Sequence, residues 1–334
     1  MKVQTQPIVI YSKLTLLRNF VDFKFPENLD HNEREKVFHF VKNYLNKQKK
    51  IDLCIALKDL EKFERQALYE RWIIESNLID SNINAHIFCG GQTLASILVN
   101  DENHLTVQAL SVGLQLNELW KQCNTLDNKF DDSHYAFSKQ WGYLTANPNE
   151  TGTGLKIAVV LHLPGLVENQ QIENLAQALQ QIGFRIKSDE RFQNSNNIFS
   201  LSNQYTLGVS EEEEIERITQ VVEVIIDQEL VARKIFQENY DRFLDKLGRV
   251  YGVLKSGYLL SEVDAMEMLS WMRLAADLQI INEKNRSEID QLMINIQPGN
   301  LRILGNQAKI IQSEDGIRAE RVRQLFHHIG EPKY

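Results

Sequence analysis

One change of rhythm constrains this chain more than any other feature: its hydrophobic spacing is mixed up to about residue 210 and helical from Ser210 to the end. Upstream, short apolar runs such as Ile8-Val9-Ile10-Tyr11, Ile97-Leu98-Val99 and Phe184-Arg185-Ile186 read as strands, and residues 33–46 and 57–74 read as helical. Downstream, Ser210 and Glu213 form a capping box, and Ile215, Ile218, Val222, Ile225 and Ile226 recur at helical spacing. The acids Glu211 to Glu214 suit the positive end of that helix, so a solvated helix start accounts for them. Ser261 with Asp264 opens a further helix, and a last one is predicted from Glu314 to His328. The pattern predicts an α+β fold, then a separate helical part from about residue 250. A chain of 334 residues suggests about two domains. With only six prolines and sixteen glycines, and no Ser/Gly-rich stretch, any boundary between them should be short and ordered.

Charge and cysteine content remove several classes of function. Lys and Arg total 37 against 45 Asp and Glu, so a net charge of −8 repels phosphate backbones and anionic membranes, and neither is an expected partner. Three cysteines without CxxC spacing fit neither a disulfide framework nor a zinc site, and no metal site is expected. No apolar stretch approaches the roughly 18 residues of a membrane span, and no apolar leader precedes a small-residue cleavage site. A soluble cytoplasmic protein is therefore expected.

Three segments could carry chemistry. In Trp141 to Leu166, a Pro-containing turn leads to Gly152-Thr153-Gly154 and an apolar run, which reads either as a structural turn or as a loop that brings backbone N–H groups to an anion. His162, alone in that run, reads as packed. In Leu98 to Gln108, Asp101 and Glu102 close an apolar strand and could bind a cation, act as a general base, or simply form a solvated turn. In Asn197 to Glu216, a strand pattern runs into a loop that places Glu211 at a loop-helix junction.

Taken in order, these segments resemble the phosphagen kinase superfamily of ATP:guanido phosphotransferases, and most closely its bacterial branch, the protein arginine kinases. The resemblance covers most of the chain. It runs through IVIYSKLTLLRNF, NDENHL, GYLT, GTGL, HLPGL, SNQYTLGVSE, YGVLKSG, LQIINEKN and LMINIQPG, and ends on Glu314-Asp315-Gly316-Ile317-Arg318-Ala319. It implies a phosphagen-kinase-like domain over residues 1–248, with an antiparallel sheet flanked by helices. A helical C-terminal domain over residues 249–334 would support dimerisation and phosphoarginine recognition. It also implies ATP and Mg2+ as the reactants of an active member, with arginines clamping the phosphates and carboxylates aligning the guanidinium.

Residue by residue, the five clamp arginines of the family correspond to Lys13, Thr15, Thr106, Lys156 and Lys187. None is arginine, and lysine keeps the charge without the planar fork. Arg185 or Arg191 could stand near the Lys187 position, because the loop between Lys187 and Asn197 is short, and Arg18 is a third arginine that could rebuild an anion site. Asn147 stands for the reactive cysteine, Glu150 for an asparagine beside the GTG run, Trp72 for the histidine near adenine, and Asn103 for the last acid of the acidic turn. The cation-handling side is kept in outline: Glu102 matches the base, Asp101 is an acid beside it, and Glu211 matches the substrate-aligning glutamate. In the C-terminal motif Asp315 and Arg318 match, while Glu314 replaces a basic residue. Arg318 could hold a phosphate, or it could form an exposed i,i+4 pair with Glu314.

Two functions follow as expectations. One is a homologue whose transferase activity is absent or severely reduced, a pseudokinase with a binding or regulatory role in protein quality control linked to arginine phosphorylation; it would need no cofactor. The other is an active ATP-dependent protein arginine kinase with lysines in the clamp. Either would meet a protein substrate or arginine-bearing protein, as a homodimer or paired with an active paralogue.

Overall fold

The computed structural model describes residues 8–46, 53–90, 95–130, 134–192, 197–308 and 313–333. Its centre is an eight-stranded sheet of β1 (Val9–Arg18), β2 (Leu53–Ala56), β3 (His86–Cys89), β4 (Ala95–Val99), β5 (Leu105–Val112), β8 (Leu155–His162), β9 (Phe184–Ser188) and β10 (Ile198–Asn203). The spatial order is β2-β3-β4-β5-β1-β8-β10-β9, and every neighbouring pair is antiparallel. Between β5 and β8, the two-residue strands β6 (Phe137–Ser138) and β7 (Gly142–Tyr143) form a small separate sheet. This is the antiparallel α+β architecture expected from the sequence.

Strand alternation gives the sheet two unlike faces. One buries Leu14, Leu16, Val107, Ala109, Ile157, Val159, Leu201 and Ile186 in a large core. The helices α1 (His31–Asn46), α3 (Leu116–Asp127), α5 (Ile172–Gln181) and α6 (Glu211–Ala232) contribute to that core. On the other face Tyr11, Val160 and Trp72 join a second core with α8 (Tyr240–Ser256), α9 (Glu262–Asp277), α10 (Asn285–Asn295), α11 (Pro298–Ala308) and α12 (Glu314–His328). Two short helices, α4 (Pro164–Glu168) and α7 (Ile235–Glu238), pack together where α6 gives way to α8. The helical part thus shares a core with the sheet, and position 248 falls inside α8. A polar joint reinforces the contact: the buried Glu70 carboxylate, at the end of α2 (Lys62–Glu70), accepts from the Gly299 and Asn300 amides at the start of α11 at 2.8 and 3.0 Å.

One local expectation is corrected. The helix read over 57–74 is only α2, because a 3-10 turn occupies Leu57–Asp59 and Trp72 takes a φ of 59°. That conformation tucks the indole against Tyr11 and Phe192, with ring centroids at 4.9 and 5.5 Å, so tertiary packing outweighs the helical pattern. The GTG run leads directly into strand β8; Gly152 and Gly154 have φ of 126° and 62°, and a Cβ on Gly152 would collide with the Thr206 carbonyl. His162 is packed, as expected, with Nε2 2.9 Å from the Ser270 hydroxyl. The Ser210 and Ser261 caps form as read.

Candidate functional site

The register of the sheet assembles the candidate clamp. Lys13 on β1 faces Ala158 on β8, and Thr15 faces both Gln108 on β5 and Lys156 on β8. Thr106 faces Leu17, Ser202 on β10 faces Ala158 and Arg185, and Ser200 faces Lys187 on β9. Opposed residues of an antiparallel pair share a face, and so do alternate residues of one strand. Lys13, Thr15, Thr106, Lys156 and Lys187 therefore all lie on one face of the sheet, together with Arg185.

Each of the three lysines is tied to a resident glutamate. Lys13, only 8% exposed, has Nζ 3.1 Å from Glu75 Oε1. The second oxygen of that carboxylate lies 3.0 Å from Nη2 of Arg191. Lys13 pulls the Glu75 carboxyl down to about 2, with help from Arg191. Burial in turn pushes the Lys13 ammonium below its usual range, although Glu75 opposes this. Lys156 Nζ lies 2.7 Å from Glu150 Oε1; burial lowers its pKa, but Glu150 more than compensates and the net shift is upward. Lys187 pairs with Glu190 at 2.7 Å on the open surface.

The other arginines divide. Arg18 is built into the fold, since its Nε and Nη2 reach Asp127 Oδ2 at 3.0 and 2.7 Å and its guanidinium lies 3.6 Å from the centre of the Tyr143 ring. Arg191 donates from Nε to the Tyr69 carbonyl at 3.1 Å and lies over the Tyr69 and Trp72 rings. Trp72 is buried and forms part of the wall beneath Arg191. The Arg185 side chain has no hydrogen bond or ion pair among the described residues. It lines a cleft of about 240 Å³ with Asn147, Glu150, Lys156, Tyr205 and Thr206. The loop between Lys187 and Asn197 is described only to Phe192, because residues 193–196 lie outside the described residues.

On the cation side, Asp101 and Glu102 occupy the β4–β5 turn. Burial, then Glu150, raises the Glu102 carboxyl above its usual range, while Lys156 pulls it down. Asp101 is buried, its Oδ1 has no hydrogen-bond partner among the described residues, and burial raises its pKa. Asn103 ties the turn to the next loop by accepting from Asn19 Nδ2 at 2.7 Å and the Ala146 amide at 2.9 Å. Asn147 caps a 3-10 turn over Pro148–Glu150 by accepting from the Asn149 amide. Glu211 opens α6; burial raises its pKa, while a backbone hydrogen bond and Arg18 lower it. Among the described residues, Thr106 Oγ1 and Glu150 Oε2 are buried without a hydrogen-bond partner. Among the described residues no group of His, Cys, Asp and Glu is arranged to hold a metal ion.

The C-terminal motif stands elsewhere. Arg318 is 2% exposed and donates to the Ile296 and Leu260 carbonyls at 3.1 and 2.9 Å and to Asp315 at 2.5 Å. The expected Glu314–Arg318 pair does not form, because Glu314 meets Arg302 on α11 at 2.7 Å and Arg318 turns inward. Sequence reasoning missed Glu75 and Glu190. Glu75 lies beyond the end of α2 and just past the stretch read as helix, and nothing local ties it to Lys13.

This sheet with its helical extension is the fold of the phosphagen kinases. It superposes on the solved lombricine kinase structure with a TM-score of 0.58, at 18% identity and covering 68% of each chain. On the duplicated taurocyamine kinase of Schistosoma mansoni the TM-score is 0.61, at 18% identity, covering 75% of this chain and 38% of that one. Residues 33–232 match the profile of the ATP:guanido phosphotransferase C-terminal catalytic domain, and residues 240–334 match that of the protein-arginine kinase McsB C-terminal domain. The chain is 32% identical to the protein-arginine kinase of Clostridium tetani, over 95% of this chain and 94% of that protein. It is 34% identical to that of Desulforamulus reducens, over 96% and 93%. The chain belongs to the protein-arginine kinase family of ATP:guanido phosphotransferases.

Proposed function

We propose that this chain is a binding or regulatory member of its family whose transferase activity is absent or severely reduced. The observation that carries this reading is the pairing of Lys13, Lys156 and Lys187 with Glu75, Glu150 and Glu190. In this chemistry catalysis is chiefly positioning and electrostatic stabilisation of the transferring phosphoryl group. A triphosphate would have to displace those carboxylates or sit against them, so the donor set fits Mg-ATP poorly. Each charge-assisted hydrogen bond that a guanidinium fork would have made to phosphate is worth on the order of 1.5–3 kcal/mol, and two positions, Thr15 and Thr106, carry no charge at all.

The residues that remain suit a cation. Asp101 and Glu102 on the β4–β5 turn, with Glu150 and Glu211, are the carboxylates that would receive an arginine side chain of a protein partner. Asn147, without a thiol, would contribute only polar contact. Action in the cytoplasm, in quality control linked to arginine phosphorylation, belongs to this reading. So does a role for residues 249–334 in a homodimer or in pairing with an active paralogue. Phosphoarginine recognition by Asp315 and Arg318 would require Arg318 to leave its two carbonyl partners.

A second reading has one observation in its favour: all five clamp positions and Arg185 share a sheet face, as an active kinase with lysines in the clamp requires. Thermal stability with Mg-ATP separates the two, because a ligand at a hundred times its Kd adds about 2.7 kcal/mol. The proposal expects no shift at millimolar nucleotide; a clear upward shift supports the active enzyme.

A further inference from the structure

We propose that Lys13 and Arg191 form an oxyanion site whose resident anion is the tethered carboxylate of Glu75, so that Glu75 decides whether a phosphate-type ligand enters. This rests on reading that sheet face as the phosphate side of the family's site. The two Glu75 oxygens take one cation each, at 3.1 and 3.0 Å, which is how a free oxyanion would bridge the same pair. Arg191 is not one of the positions that correspond to the family's clamp, yet it supplies the planar fork that lysine lacks.

The cations are fixed and the anion is the part able to leave. Lys13 is held in the middle of β1, and Arg191 is pinned by the Tyr69 carbonyl and by two ring faces. Glu75 instead lies outside any regular helix or strand, just ahead of a 3-10 turn over Ser76–Leu78, and its side chain is 55% exposed. Being tethered, it competes with a free anion at an effective concentration of roughly millimolar or more, so the wild-type site is closed to dilute ligands. Lys156 acts electrostatically on both Lys13 and Glu75, so an anion that displaced the carboxylate would feel a third cation.

The test is isothermal titration of the full chain with inorganic pyrophosphate and, separately, with Mg-ATP, comparing wild type, Glu75→Gln and Glu75→Gln/Arg191→Gln. Glu75→Gln should bind pyrophosphate about tenfold or more tighter than wild type, and the double variant should lose the gain. A gain with Mg-ATP as well assigns the opened site to nucleotide phosphates, and a gain with pyrophosphate alone assigns it to small oxyanions. No gain with either ligand, or a gain that survives Arg191→Gln, overturns the proposal. Should Glu75→Gln fail to fold, Glu75→Asp keeps the charge while shortening the bridge, and a smaller gain of the same sign is required. Failure here leaves the impaired-kinase reading standing, whereas phosphoarginine formation by the wild type removes that reading without altering this comparison.

Discussion

Replacing Glu150 by asparagine, the residue the family resemblance implies at that position, should make the sheet face markedly more hospitable to phosphate. Glu150 Oε1 lies 2.7 Å from Lys156 Nζ. A phosphate oxygen bound at a similar distance on another donor of the same ammonium would lie about 4.4 Å from that carboxylate, and two unit charges so placed repel by about 4 kcal/mol at an effective dielectric of ~20, or about 1 kcal/mol in bulk water. Lys156 is half-exposed and Glu150 largely covered, so the true cost falls between these limits. Relief of about 2 kcal/mol corresponds to roughly thirtyfold in affinity. The assay is isothermal titration of wild type and Glu150→Asn with pyrophosphate at fixed ionic strength. Because Glu150 helps hold Glu102 above its usual range, the Glu102 carboxyl should also titrate lower in the variant, which carboxyl-carbon NMR can follow. An affinity that is unchanged or weakened, with Glu102 unmoved, would refute the reasoning.

Other consequences concern stability. Asp127→Asn strands the buried Arg18 guanidinium and should cost about 3–5 kcal/mol, read as a lower denaturant midpoint at unchanged slope; a loss below about 1 kcal/mol would show that Arg18 does not depend on its partner. Arg318→Ala removes a buried donor from two carbonyls and should cost about 2–4 kcal/mol as a fall in Tm, whereas an unaltered Tm would indicate a dispensable surface arginine. Glu75 has its carboxyl held near 2, below the ordinary 4.5, so it contributes stability above the ordinary value that is lost as pH falls towards 2. With the side chain 55% exposed, screening reduces this to about 1 kcal/mol, and Glu75→Gln should flatten the acid limb of stability against pH by that amount.

What could be read from sequence was chiefly local. The Ser210 capping box and the apolar stripe behind it announce α6, because cap and period both act within a few residues. Strands β1, β4 and β9 were visible as apolar runs, but their order in the sheet is a property of distant pairing. Trp72 shows the limit: its positive φ is imposed by contacts with Tyr11 and Phe192, and the helical pattern around it runs on regardless. The candidate site follows the same division. Family resemblance found the positions of Lys13, Thr15, Thr106, Lys156 and Lys187, and strand register places them on one face. The glutamate opposite Lys13 was hidden, since Glu75 is 62 residues away in sequence. The inward turn of Arg318 was equally hidden, because it depends on carbonyls from Leu260 and Ile296 rather than on the Glu314 four residues before it.

The most direct measurement is phosphoarginine formation on a mixed protein substrate with Mg-ATP, scored by mass spectrometry for wild type and Glu102→Gln. If paired glutamates have silenced the clamp, the two proteins yield the same background and no phosphoarginine above it. Product that appears with the wild type and vanishes with Glu102→Gln would contradict the account, and would make this chain a working arginine kinase.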